Sequence, residues 1–118
     1  MDYRLKADGR FWLTLDGKNF LGRGRVELLQ RIRETGSISK AAKAMKMSYK
    51  AAWDAVDAMN SAWYLPLVES GPAGSRLTED AERLITEFQQ AEAQHTTFLS
   101  QLANGLSAKP PRNQGQRE

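Results

Sequence analysis

Tyr49, Lys50, Trp53 and Asp54 bring a cation, a carboxylate and two large aromatic faces together at helical spacing. Lys50 and Asp54 stand four residues apart, as do Tyr49 and Trp53, so each pair shares one side of an α-helix. No nucleophile with an adjacent base is among them, and the chemistry open to the set is recognition. A lysine ammonium donates to a phosphate or to a base acceptor. A carboxylate four residues on either pairs with that lysine or accepts from the amino group of a cytosine, and the pairing is the preferred expectation. Trp53 either packs beneath a neighbouring element or lies against sugar and base edges; a partly buried position is expected.

Covalent and metal chemistry are poorly provided for. The chain holds one histidine and no cysteine. There is no glycine-rich phosphate loop, and Gly22 with Gly24 does not make a dinucleotide fingerprint, because no acidic partner and no parallel-strand unit follow in order. Neither enzymatic activity nor a metal or other cofactor is expected.

The four residues need a helix to carry them, and the stretch from Gly36 to Asn60, GSISKAAKAMKMSYKAAWDAVDAMN, supplies two. In the first half Ile38, Ala41, Ala42 and Met45 form an apolar stripe behind a Ser37 cap, and Ala42 is small enough for a second helix to cross closely. In the second half Ser48 is the cap, and Ala52, Val56, Met59 and Trp63 form the buried stripe, with Met47 as the apolar plug between the helices. Two short helices joined by a brief turn are the pattern of a helix-turn-helix, whose second helix presents its first residues to a DNA groove. An ordinary helical hairpin with small residues at its crossing fits the same pattern. Lys46 stands where many such turns carry a left-handed glycine, a conformation that costs another residue about 1 kcal/mol.

Flanking segments complete a winged version of that motif. The apolar run Leu65 to Glu69, a turn from Ser70 to Ser75, and then Arg76 and Leu77 read as a two-stranded wing, with Arg76 as its minor-groove or phosphate residue. Upstream, Val26, Leu28, Leu29 and Ile32 make an amphipathic helix over Gly22 to Glu34 that ends at Gly36. Arg23 and Arg25 sit at its start, where a cation gains nothing from the helix dipole, and phosphate contact is one use for them. Further upstream, Phe11, Leu13 and Leu15 alternate with Trp12, Thr14 and Asp16 as a half-buried strand should, between Asp-Gly turn signals. Tyr3 to Ala7 is the candidate hairpin partner of that strand.

The string Gly36, Ser37, Ile38, Ser39, with Ala41 and Ala42, then Ser48, Tyr49, Lys50, Ala52, Trp53, Asp54, Met59 and Asn60, resembles the N-terminal DNA-binding domain of the ModE molybdate-responsive transcriptional regulators. The run SYK-x-AWDA-x-x-x-MN carries most of the likeness. More loosely, the Ala-Ala pair and the serine cap are similar to the winged-helix domain of LysR-type regulators. The resemblance covers roughly Phe11 to Leu102. It implies a sequence-specific regulator contacting double-stranded DNA through Ser39, Lys40, Lys43, Ser48, Tyr49, Lys50, Trp53, Asp54, Arg76, Arg23 and Arg25, and dimerising through its last helix. ModE chains continue into molybdate-binding domains; Arg112, Asn113 and Gln114 faintly echo the opening of that region and the sequence then stops, so no molybdate binding is expected.

Thr78 caps the last helix, and Glu79 and Asp80 follow in the first turn, where the dipole favours acids. Ala81, Leu84, Phe88, Ala91, His95, Phe98 and Leu102 repeat close to a heptad seam, widened by Ile85 and Leu99. From Thr78 to Leu102 such a helix spans roughly 37 Å. Either it wraps its own domain or, as the surplus length implies, Leu84, Phe88, Ala91, His95, Phe98 and Leu102 meet a second copy. His95 is read as an interface residue.

Charge is divided unevenly. Residues 1–50 hold twelve Lys/Arg against five Asp/Glu, and residues 51–102 hold two against eight. The basic residues Arg23, Arg25, Arg31, Arg33, Lys40, Lys43, Lys46 and Lys50 coincide with the candidate DNA surface, although a charge run is commonly just a solvated face. No apolar run reaches the length of a membrane span, the N-terminus is too polar for a signal peptide, and a cytoplasmic protein is expected. The expected fold is mainly α with small β: an N-terminal strand segment at 1–21, a winged helix-turn-helix at 22–77 with its motif at 37–63 and wing at 65–77, a dimerisation helix at 78–102, and a disordered tail at 103–118. Asp54, Asp57 and the short wing also fit a second reading, a winged-helix module that binds protein and forms homo- or hetero-dimers without specific DNA binding.

Overall fold

Asp16 and Gly17 both adopt positive φ, 51° and 80°, the pair of values that a tight hairpin turn requires, and Asp-Gly is a favoured sequence for it. The computed structural model, which describes residues 4–106, therefore turns the chain back on itself here. Strand β1 (Leu13–Leu15) pairs antiparallel with β2 (Lys18–Leu21). The alternation expected from Phe11 to Asp16 is present, with Phe11, Leu13 and Leu15 half-buried and the residues between them exposed. Its partner is not the segment before it. Residues 4–7 form no strand, because the Asp16-Gly17 turn brings Lys18–Leu21 alongside first, and Phe20 and Leu21 carry the pairing into the core.

Helix α1 (Arg23–Thr35) follows and ends at Gly36, whose φ of 73° lets its N–H reach the Ile32 carbonyl. Its buried residues are Val26, Leu28, Leu29 and Ile32, the stripe read from sequence. Helices α2 (Ile38–Ala44) and α3 (Tyr49–Ala62) come next, then β3 (Val68–Gly71) paired antiparallel with β4 (Gly74–Leu77), then the long α4 (Glu79–Gly105). The architecture is the expected one, mainly helical with two small strand pairs and a long C-terminal helix.

The described residues divide into two compact units, Phe11–Gln89 and a second made of residues 4–10 with 90–106. In the first, one apolar cluster joins Phe20 and Leu21 of β2, the α1 stripe, Ile38, Ala41 and Ala42 of α2, Ala52, Val56 and Met59 of α3, Leu67 and Val68, and Ala81, Leu84, Ile85 and Phe88 of α4. Phe11 closes it, with its ring 5.4 Å from that of Phe88. In the second unit Gly9 lies against His95 and Leu99, close enough that a Cβ on it would fall 3.4 Å from each side chain.

The wing differs in detail from expectation. Leu65–Leu67 is irregular, and the strands instead take in Ser70, Gly71, Gly74 and Ser75, leaving only Pro72 and Ala73 as the turn. Asn60 explains the late start. Its side-chain oxygen accepts from the Leu67 and Val68 N–H groups at 2.8 and 3.1 Å, and its amide donates to the Val68 carbonyl at 3.0 Å, so a side chain stands in for a strand neighbour. At the other end the Ser75 N–H donates to the Gly36 carbonyl at 2.9 Å, tying the wing to the end of α1. Helix α4 outruns its expected end at Leu102. Ala103, assigned from sequence to the tail, is helical and buried, and the remainder of that tail assignment, from residue 107, lies outside the described residues, as do Arg112, Asn113 and Gln114.

Candidate nucleic-acid interface

Between α2 and α3 the chain needs only Met45 to Met47 to reverse direction. Ser37 caps α2 by accepting from the Lys40 N–H at 3.1 Å, and Ser48 caps α3 by accepting from the Ala51 N–H at 3.0 Å. The Met47 N–H donates to the Ala42 carbonyl, and Lys46 makes the corner at a φ of 56°, the left-handed conformation that many such turns give to glycine. Met45 and Met47 are half-buried against the core as plugs. The corner thus sets the start of α3 at the surface, with Ala52, Val56 and Met59 turned inward.

The other side of α3 carries the recognition set. Tyr49 is 55% exposed and Trp53 46%, and Lys50 and Asp54 are exposed beside them. Lys50 Nζ lies 2.9 Å from Asp54 Oδ2, which realises the i, i+4 pairing. At this exposure such a pair contributes at most about 1 kcal/mol, so it positions the side chains more than it stabilises the helix. Trp53, with about half of its surface covered, takes the partly buried position expected of it but stands outside the apolar core cluster. It lies about 100° round α3 from Ala52, off the buried stripe. The packed tryptophan is Trp63 at the C-terminal end of α3, stacked on Phe20 at 5.4 Å, and its indole N–H donates to Asp80 at 2.9 Å. That hydrogen bond, with the Arg83 guanidinium 2.9 Å from the other carboxylate oxygen, holds the Asp80 carboxyl below its ordinary value against the opposite pull of burial.

Ser39, Lys40 and Lys43 are exposed on α2, and Lys46, left out of the sequence-derived site, is exposed at the corner between them and Lys50. Its place in the basic cluster and its left-handed turn position together could have identified it. The arginines divide differently. Arg23 is exposed at the start of α1, whereas Arg25 is half-buried and donates to the Asn19 and Phe20 carbonyls at 3.1 and 3.0 Å. Arg25 therefore fastens α1 to β2 instead of pointing to phosphate, because two β2 carbonyls lie within its reach. Arg31 pairs with Glu27 and Glu34, and Arg33 with Glu82. Arg76 is exposed on the wing and faces Glu69 across the ribbon at 3.2 Å.

The residues expected along the α4 seam fall into two sets. Leu84 and Phe88 are buried in the chain's own core cluster, because the helix covers its domain over this stretch. Ala91 and His95 are half-buried, while Phe98 and Leu102 are exposed. Among the described residues no helix is long and apolar enough to cross a membrane, and no group of three or more His, Cys, Asp or Glu is placed to hold a metal ion.

Comparison with known proteins extends these findings. The molybdenum-pterin-binding protein MopA of Rhodobacter capsulatus is 40% identical over 93 residues, covering 75% of this chain and 35% of its own length. The molybdenum transport protein ModE of Azotobacter vinelandii is 35% identical over 103 residues, covering 83% of this chain and 38% of its own. The ModE likeness read from the SYK-x-AWDA run is borne out, and the chain spans a little over a third of the length of these curated relatives. Among solved structures, the CbnR_DBD chain of a CbnR_DBD-DNA complex superposes with a TM-score of 0.57 at 17% identity, covering 71% of this chain and 99% of that one, which supports the fold. Residues 24–82, from α1 through the motif and wing to the start of α4, match the family described as bacterial regulatory helix-turn-helix protein, lysR family. The chain belongs to the lysR family of bacterial regulatory helix-turn-helix proteins.

Proposed function

We propose that this chain is a DNA-binding transcriptional regulator of the ModE and LysR type, that it reads its operator through the start of α3, and that it acts as a homodimer. The observation that carries the reading is the exposed set Tyr49, Lys50, Trp53 and Asp54 on the second helix of a helix-turn-helix, flanked by exposed Ser39, Lys40, Lys43 and Lys46. Ser48 fixes the entry of that helix, exposed Arg23 on α1 and Arg76 on the wing add cations for the phosphate backbone, and Arg25 fastens α1 to β2. Phe98 and Leu102, exposed on α4, supply the dimer contact, continued by Ala91 and His95. Leu84 and Phe88 leave that interface for the core. A dimer reads two half-sites one helical turn of DNA apart, or a multiple of it. The molybdenum in the relatives' names remains theirs, and no molybdate site is assigned to this chain.

The test is fluorescence anisotropy of mixed-sequence and genomic duplexes over a salt series. A dimer that contacts six to ten phosphates should lose about 10³–10⁵ in affinity between about 50 and 200 mM salt, with one duplex held far above the rest. Lys50→Glu places a third carboxylate-bearing residue beside Asp54 and Asp57 and should abolish binding while the circular dichroism spectrum is unchanged. Binding that survives this change removes α3 as the recognition helix. One observation favours the second reading, a protein-binding module: Lys50 and Arg76, two cations expected at phosphate, are each engaged by a carboxylate. Dimerisation with only a weak, salt-insensitive response to every duplex would establish that reading instead.

A further inference from the structure

The aromatic rings at the first turns of α3 stand outside the chain's own core cluster. Tyr49 and Trp53 leave about half of their surfaces in water, while Phe20, Trp63, Phe11 and Phe88 pair their rings inside the first unit. At i and i+4 the two rings share one side of α3, and the same motif exposes Lys43 on α2, Lys46 at the corner and Lys50 on the next face. A surface that is apolar at its centre and basic at its edge suits a ligand that is anionic at its rim and has an apolar group within. Duplex DNA viewed into the major groove has this form, with phosphates along both walls and thymine C5 methyl groups on the floor.

The polar atoms of the same face point the same way. Asp54 and Lys50 are joined at 2.9 Å, so each occupies part of the other's hydrogen-bonding capacity and neither presents a bidentate edge. Ring faces cannot satisfy the acceptors of guanine or the amino groups of cytosine and adenine. A base edge pressed against them loses water without compensation. The thymine methyl is the one apolar group in the major groove, and it alone gains by that contact.

Resting on the DNA-binding reading above, we propose that Tyr49 and Trp53 determine specificity by packing their rings against thymine C5 methyl groups in each half-site. Four residues of helix separate the rings by about 6 Å along the axis, and base pairs rise by about 3.4 Å, so the methyls belong to neighbouring base pairs or to pairs one apart. Lys43, Lys46 and Lys50 hold the flanking backbone and supply affinity that is indifferent to sequence.

The experiment begins with the tightest duplex selected from a random-sequence pool by the purified protein. Each thymine in turn is replaced by deoxyuridine, which removes the methyl and leaves every hydrogen-bonding group in place. The expected result is a loss of about three- to fivefold in affinity at one or two positions per half-site, the scale of one buried methyl group, and no change elsewhere. Trp53→Ala and Tyr49→Ala should each weaken binding to the thymine duplex and erase the penalty at one of those positions, whereas Lys50→Ala should weaken both duplexes alike and keep the penalty. The deoxyuridine series on the unaltered protein needs no variant to fold. Specific, salt-steep binding that ignores every methyl overturns the proposal and leaves the DNA-binding reading standing. A penalty that persists unchanged in both aromatic variants also overturns it. If the pool yields no preferred duplex, both readings fall together.

Discussion

Lys46 holds a backbone angle that side chains avoid, φ 56°, at the corner on which the recognition helix depends. Left-handed backbone costs a non-glycine residue about 1–2 kcal/mol, and glycine gives back about 0.5–1 kcal/mol through its looser unfolded chain. Lys46→Gly should therefore raise stability slightly, by up to about 1 kcal/mol in urea unfolding, while weakening DNA affinity through the lost charge. Keeping a strained lysine fits a residue retained for phosphate. Asp80 gives a second prediction at this scale. Its folded-state pKa is depressed, first by the Trp63 indole and then by Arg83, so its contribution is fully present above the unfolded value near 3.8 and is lost as pH falls through the lower folded value. The melting temperature of the unaltered protein should exceed that of Asp80→Asn at neutral pH, and the gap should close only below about pH 4. A gap that is constant through that range would show that the Asp80 charge plays no part.

The wing is held at its turn end, where Gly74 meets the end of α1. Gly74 has a φ of 118°, and a Cβ there would fall 2.5 Å from the Gly36 carbonyl oxygen, the same atom that accepts from the Ser75 N–H. Gly74→Ala must move either the wing or the end of α1. The expected loss is about 1–3 kcal/mol, equivalent to about 4–8 °C in melting temperature per kcal/mol for a domain of this size. Gly71 sits opposite it in the ribbon with open space around the position of a Cβ, so Gly71→Ala should cost much less. Thermal unfolding of the two variants side by side checks whether the wing is anchored at Gly36 or merely rests there.

Across the whole molecule, the long helix serves two purposes in sequence. Up to Phe88 its apolar residues fill the core of the first unit, and beyond that Phe98 and Leu102 remain open. Gly9 lies against His95 and Leu99, so the N-terminal segment already covers one part of the stripe within the second unit. If the open part is the dimer contact, Phe98→Glu with Leu102→Glu should give monomers in a sedimentation concentration series. It should leave helicity intact and weaken operator binding at least tenfold, because one half-site then binds without its neighbour. Unchanged sedimentation would remove this face from the interface.

Local patterning determined a good deal of this protein. Serine caps at Ser37 and Ser48, the small residues at the helix crossing, the glycine at the end of α1 and the outward placement of Tyr49 and Lys50 were all legible, because capping and helical periodicity act over a few residues. The same locality made the SYK-x-AWDA run a family marker and let the Lys50–Asp54 pair be read at its spacing. Tertiary structure decided what depends on partners distant in the chain. It fixed which strand β1 would meet, Asn60 as the substitute neighbour of Leu67 and Val68, and Arg25 bound to strand carbonyls. It also set the Trp63 ring on Phe20, and buried Leu84 and Phe88 in the core. A seam residue and a core residue have the same helical period, and an arginine at a helix start looks the same whether it faces phosphate or a carbonyl. Only the position of the other elements separates them, since the energy at stake is that of contacts and hydrogen bonds closed across the fold.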